Sequence, residues 1–217
     1  MPDLRGLTAA IVVGDRATAV RLTQEAVDDG LPARAILDAM TEGMAEVGAR
    51  FQLEQIYVPE MLVAARAMRE ATAVLEPLLV GAGIRPIATA VVGTIQGDLH
   101  DIGKNLVGMM WKGANIEVID LGNNVGPEAF AAAAQEHGAD LIGVSALLTT
   151  TMPNMRGVVE AVRSAGLSRT RVIVGGAPVT SAFAHEIGAD GYAPDAATAV
   201  DVAKSLLALG DGSPGAG

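Results

Sequence analysis

Residues 93–105 read GTIQGDLHDIGKN, and they set His100 between Asp98 and Asp101 in a glycine-punctuated stretch directly after an apolar run. A neutral imidazole coordinates a metal through one ring nitrogen. A carboxylate two residues away can accept the N–H of the other nitrogen, which fixes the tautomer and raises the basicity of the ligand. Asp98 is placed for that role. The pattern D-x-H-x-x-G is equally compatible with a plain loop histidine bonded to a neighbouring aspartate. The chain holds 3 histidines and no cysteine in 217 residues, so disulfides, thiolate metal sites and cysteine nucleophiles are excluded, and His, Asp and Glu remain as ligands.

A second group of residues falls in GVSALLTTT, residues 143–151, and VIVGGAP, residues 172–178. Each stretch begins as an apolar β-branched run and ends in residues with other uses: Ser145, Leu147, Thr149 and Thr151 in one, Gly175 and Gly176 in the other. A glycine pair lets a flat ligand approach the backbone, and hydroxyls bond ring nitrogens or relay to a carboxylate. The competing reading is structural, with Ser and Thr capping the following helices and the glycines turning the chain.

Positioning these residues requires strands. Residues 5 to about 80 show none: apolar residues recur at helical spacing, as in Ile36, Leu37, Met40, Met44 and Val47. Asp15 can cap a helix that runs to Asp29 and ends at Gly30. Pro32 and Pro59 fit the first turns of later helices, and Met61 and Met68 read as core. Four helices in this length make a small bundle. GAGIRP at residues 81–86 reads as a linker and hinge. Beyond it the period changes to short β-branched runs, IATAVVGTI, IEVIDLG, DLIGVSALL, TRVIVGG and ADGYA. Helical segments near 103–113, 127–137, 153–165, 180–187 and 195–208 separate them. That alternation predicts an α/β domain with a five-stranded, parallel, doubly wound sheet of flavodoxin-like type, whose ligands bind beyond the carboxyl ends of the strands. The expected division is a helical bundle cap over 1–83, an α/β domain over 84–210 and a disordered tail over 211–217.

Half of the residues are hydrophobic but only 3% are aromatic, so small aliphatic side chains must fill the interior. A net charge of -10 argues against nucleic acid and anionic lipid as partners. The N-terminus shows neither a membrane span nor a signal-peptide pattern, and a cytoplasmic location is expected.

At these residues the sequence resembles a known family, the cobalamin-binding proteins of methyl transfer, which includes corrinoid proteins of methyltransferase systems and the corrinoid module of cobalamin-dependent methionine synthase. GDLHDIGKN resembles the family's D-x-H-x-x-G segment, SALLT its S-x-L segment, and VGGAPVTSAFAHEIGADGYAPDA its glycine-pair strand and closing helix. GMAEVGARFQLEQIYVPEMLVAARAM, residues 43–68, resembles the helical cap that precedes the binding domain.

The resemblance implies that the cofactor is cobalamin, bound base-off, with His100 as the lower axial ligand of cobalt and Asp98 accepting the ring N–H. It further implies that Thr151 bonds Asp98, and that cofactor contacts extend over Gly97, Asp101, Ile102 and Gly103. Ser145, Leu147, Gly175 and Gly176 would line the slot for the nucleotide tail, with Thr149 near the corrin edge. Phe51 and Val58 would shield the upper face, where the methyl group sits. Taken as residues alone, Leu99 and Ile102 read as packing and Asp101 and Lys104 as solvated loop charges. The implied role is non-catalytic: a methyl carrier of one-carbon metabolism between a substrate-specific methyltransferase and an acceptor methyltransferase, reactivated by a reductive activase. Three other readings were open. The mutase reading, a small subunit binding adenosylcobalamin, is weakened by the N-terminal bundle. A cobalamin or light sensor lacks a basic recognition segment, and a response module lacks its acidic phosphorylation cluster.

Overall fold

The computed structural model describes residues 3–210; the expected tail at 211–217 lies outside them. The described residues divide into two compact units. One runs to Pro86 and includes Lys112–Asn115; the other comprises Ile87–Trp111 and the chain from Ile116 onward.

The first unit is four helices: α1 (Leu4–Val13), α2 (Arg16–Asp28), α3 (Ala33–Gln52) and α4 (Val58–Gly81). Their ends follow from local chemistry. The Asp3 carboxylate accepts the Gly6 N–H, and that of Asp15 accepts the Thr18 N–H. Each supplies an acceptor to a first-turn donor that has no partner in its own helix. Pro32 stands at the N-cap of α3, one residue before the helix proper, and Pro59 lies in the first turn of α4. Ile36, Met40, Met44, Met61 and Leu75 are fully buried, with Leu7 and Ile11 of α1 beside them in the core. With almost no aromatic residues available, methionine fills the irregular gaps that rings would otherwise take.

The second unit alternates strands and helices: β1 (Ala88–Thr94), α5 (Ile102–Gly113), β2 (Ile116–Asp120), α6 (Pro127–His137), β3 (Leu141–Ser145), α7 (Met155–Ser164), β4 (Arg171–Gly175), α8 (Ser181–Ile187), β5 (Gly191–Ala193) and α9 (Ala196–Gly210). A single 3-10 turn at Met152–Asn154 precedes α7. All pairs are parallel in the order β2-β1-β3-β4-β5, with Thr94 beside Ser145 and Ser145 beside Gly175. Val91, Ile142, Val144, Val172 and Val174 are buried against Phe130, Met155 and Val158. Strands covered on both faces need near-continuous apolar runs, the pattern the sequence carries.

This order has one consequence for function. The chain leaves β1 toward β2 on one side, and β3 leads to β4 on the other. The loops after β1 and β3 therefore diverge at the carboxyl edge, where doubly wound sheets bind ligands.

Candidate functional site

The loop after β1 begins with a turn at Gly97, whose φ of 87° lies in the left-handed region. Asp98 follows and is completely buried. Its Oδ1 accepts the His100 backbone N–H at 3.0 Å and meets His100 Nδ1 at 2.7 Å. Oδ2 accepts the backbone N–H groups of Leu147 at 2.7 Å and Leu148 at 3.2 Å, and the Thr151 hydroxyl at 3.0 Å. One carboxylate therefore ties the loop after β1 to the loop after β3 across the point where they part.

Burial by itself pushes the Asp98 carboxyl up. The His100 and Leu147 backbone donors, then the His100 and Thr151 side chains, outweigh it and hold the group well below the usual carboxylate range. An ionised Asp98 can only accept, so Nδ1 of His100 carries the hydrogen. The neutral ring then presents its lone pair at Nε2. No hydrogen bond from Nε2 occurs among the described residues, and the side chain is 53% exposed. The site holds an oriented imidazole with one nitrogen committed and the other available.

Exposed apolar residues flank it on the two loops that Asp98 joins. Leu99 and Ile102 are 69% and 73% exposed, and Leu147 and Leu148, whose N–H groups bond Asp98, are also exposed. The reading of Leu99 and Ile102 as packing residues is corrected here: these side chains stand in solvent at the loop instead of filling the core. Lys104 is corrected in the opposite sense. It is no solvated loop charge but is buried at 3% exposure, ion-paired with Asp120. Asp101 is half-buried, and its carbonyl accepts the Asn105 N–H at the start of α5. Gly103 is exposed in the first turn of that helix.

The remaining residues at the sheet edge occupy less specialised positions. Ser145 ends β3, half-buried, with its carbonyl accepting the Ile95 N–H. Thr149 is exposed, whereas Thr151 is buried against Asp98. At Gly176, φ is 121°, and a Cβ would fall 1.9 Å from the Ala146 carbonyl oxygen; one on Gly175 would fall 2.5 Å from that of Ala193. Protein backbone therefore stands where each missing side chain would begin. In the first unit, Phe51 lies in the last turn of α3 and Val58 begins α4, both half-buried, while Met61 and Met68 are core.

Two family models, each described as a B12 binding domain, match residues 88–201 and 4–76. A corrinoid protein of Desulfitobacterium hafniense (strain Y51) is 39% identical over 95% of this chain and 98% of its own length. A dimethylamine corrinoid protein of Methanosarcina barkeri is 40% identical over 94% of this chain and 97% of its own. The chain belongs to the B12-binding corrinoid proteins. Solved structures agree. A cobalamin-binding protein from Desulfitobacterium hafniense DCB-2 superimposes with a TM-score of 0.81 at 29% identity, over 95% of this chain and 99% of that one. One chain of the methanol:cobalamin methyltransferase complex of Methanosarcina barkeri superimposes with a TM-score of 0.83 at 28% identity, over 94% of this chain and 79% of that one.

The residues of this corrinoid protein fit the cofactor. A single imidazole holds a bare ion poorly, and no cluster of three or more ligating side chains occurs among the described residues. One histidine suffices for a metal that arrives with its equatorial ligands already supplied by a macrocycle. The exposed leucines and Ile102 around His100 give an apolar surface suited to a broad flat ligand. Sequence reading missed the backbone donors at Leu147 and Leu148, which carry no side-chain signature, and Asn124. Asn124 accepts the Gly97 N–H at 2.8 Å through Oδ1 and donates its own N–H to the Asp98 carbonyl at 3.0 Å. It follows β2, so the same rule that located the ends of β1, β3 and β4 pointed to it.

Proposed function

We propose that this corrinoid protein carries a methyl group on cobalamin between separate methyltransferases, with the cofactor bound base-off and His100 as its lower axial ligand. One observation carries the coordination: Nδ1 of His100 is committed to a buried carboxylate while Nε2 has no hydrogen-bond partner among the described residues. Bound cobalamin would supply the cobalt centre that accepts and releases the methyl group. The protein's own residues do the tuning. Asp98 holds the hydrogen on Nδ1, which makes the ring the stronger donor at Nε2. Thr151 and the Leu147 and Leu148 N–H groups hold Asp98, so the carboxylate keeps its orientation whether or not the ring is engaged. When His100 disengages, Nε2 can take a proton, and the Asp98 carboxylate balances the resulting charge.

The exposed apolar residues of the loops after β1 and β3, Leu99, Ile102, Leu147 and Leu148, suit a protein that holds a broad cofactor. The partners proposed are a substrate-specific methyltransferase, an acceptor methyltransferase and a reductive activase. A methyltransferase partner is supported by the relative solved as a methanol:cobalamin methyltransferase complex.

Electron paramagnetic resonance of the Co(II) form, prepared with isotope-labelled histidine, tests the coordination. One protein nitrogen should split the signal; splitting from the benzimidazole nitrogen overturns the assignment. Loading with labelled methylcobalamin tests the carrier role. The label should leave the protein only when a methyltransferase is added, and equal release by the protein alone overturns that role.

A further inference from the structure

Asp98 secures the His100 loop toward β3. The opposite side of the loop is secured by the turn after β2, and that turn begins at a buried ion pair. Lys104, in the first turn of α5, donates through Nζ to Asp120 Oδ1 at 2.6 Å, to Asp120 Oδ2 at 2.5 Å and to Asn105 Oδ1 at 2.7 Å. Burying an ammonium is costly unless it is paired, and an apolar side chain of similar length would fill the same space without that cost. The charge therefore needs an explanation beyond packing.

Asp120 is the last residue of β2, and its Oδ1 also accepts the Gly122 N–H at 2.8 Å. The Gly122 carbonyl accepts the Thr94 N–H at 2.9 Å, and Thr94 Oγ1 donates to the His100 carbonyl at 2.9 Å. Two residues along, Asn124 takes the Gly97 N–H and gives its own to the Asp98 carbonyl. One backbone group from each of Gly97, Asp98 and His100 thus ends on Thr94 or on the turn at 122–124. Lys104 pins the start of that turn.

We propose that Lys104 is a positioning residue: through Asp120 it fixes the β2–α6 turn that clasps the His100 loop, and so sets how rigidly the imidazole is presented. The idea rests on His100 being the cofactor ligand. It differs from a mere fastening of α5 to β2, because a fastener would affect the whole unit evenly and a clasp affects two loops selectively.

The test compares the full-length wild-type chain with K104M, K104R and D120N. The first measurement is amide hydrogen exchange without cofactor. In K104M and D120N, exchange at residues 96–101 and 121–125 should rise about tenfold or more while β3 and β4 keep wild-type protection, the signature of local opening. K104R should restore part of the protection, since it keeps the charge with a different fork. The second measurement is the Co(II) resonance signal after loading with cobalamin. K104M should lose a substantial fraction of the protein-nitrogen splitting that the wild type shows. Unchanged loop exchange overturns the proposal, as does an increase spread evenly over β1, β3 and β4. If K104M fails to fold, D120N decides alone, because the Asp120 side chain is 44% exposed and its amide analogue keeps the shape while removing the charge and one acceptor. A wild type without protein-nitrogen splitting would defeat the reading of His100 as ligand, and the exchange measurement would still decide the role of Lys104.

Discussion

The turns after β1 and β4 leave the same edge of one sheet, yet they are held in opposite ways. After β1, position is set by addition: a buried carboxylate gathers two backbone and two side-chain groups from beyond its own residue, together with the His100 N–H. After β4, position is set by omission, since Gly176 carries a φ of 121° and lets the Ala146 carbonyl occupy the place of a side chain. The first arrangement is electrostatic and responds to protons and to lost donors. The second is steric and responds only to added atoms.

The largest effect is expected where atoms are added. Gly176→Leu places a Cβ 1.9 Å from the Ala146 oxygen in a conformation that L residues rarely adopt, and neither backbone segment can yield without breaking the pairing of β3 with β4. We expect a loss on the order of 4–5 kcal/mol or failure to fold, read by thermal denaturation of the purified variant. The resemblance reads this glycine pair as lining a slot for the nucleotide tail. A folded variant with impaired uptake would support that reading and remove the steric half of the contrast.

Next in size is Asp98→Ala, which strands the Leu147 and Leu148 N–H groups, the Thr151 hydroxyl and the His100 ring at once. Leaving several buried or half-buried donors unpaired costs about 1–3 kcal/mol for each fully desolvated one, with relaxation reducing the sum. We expect a loss of about 3 kcal/mol in chemical denaturation. Stability within 0.5 kcal/mol of wild type, about the scatter of surface substitutions, would mean that the donors find water and that the carboxylate is not the organising element.

The same contrast should appear with pH. The folded-state value of Asp98 is depressed relative to the usual 3.8. Its stabilising contribution is therefore complete above the unfolded value and lost as pH falls below it toward the folded one. Denaturation midpoints should be insensitive to Asp98 near neutrality and fall progressively below pH about 4. In Asp98→Asn that acid-dependent part should shrink. An Asn variant with the wild-type acid slope would assign the slope to other carboxylates.

Both regions were partly legible in the sequence, for reasons the contrast explains. Asp98, His100 and Thr151 act through side chains, so residue type and placement at strand ends exposed them. The glycine pair was visible as composition, but its steric need was not: that a carbonyl stands where a side chain would begin is known only from the register of β3 against β4. The alternation of apolar runs gave five parallel strands because period and β-branching are local properties. Lys104 was read as a solvated charge because its partner, Asp120, is 16 positions away in sequence and is brought to it only by the pairing of β1 with β2.

Thr151 isolates the smallest effect, because two substitutions divide its two contributions. Its hydroxyl oxygen lies 3.0 Å from both Asp98 Oδ2 and the Leu148 carbonyl oxygen, which share its one hydrogen, while its methyl lies 3.2 Å from where a Cβ on Gly97 would stand. Thr151→Val keeps the methyl and the shape but removes the hydroxyl; Thr151→Ser does the reverse. Each should cost about 1 kcal/mol at neutral pH, one through a lost hydrogen bond and the other through a lost buried methyl. Acid separates them. Without the hydroxyl, Asp98 loses a donor and its folded value moves up toward the unfolded one, so less stability remains to be lost as pH falls from about 5 to about 2. Serine leaves that donor in place, so its curve should run parallel to the wild type from a lower start. Parallel curves for both variants would place the contribution of Thr151 in packing over Gly97, and the loop after β1 would then depend in part on the kind of steric fit that governs the turn after β4.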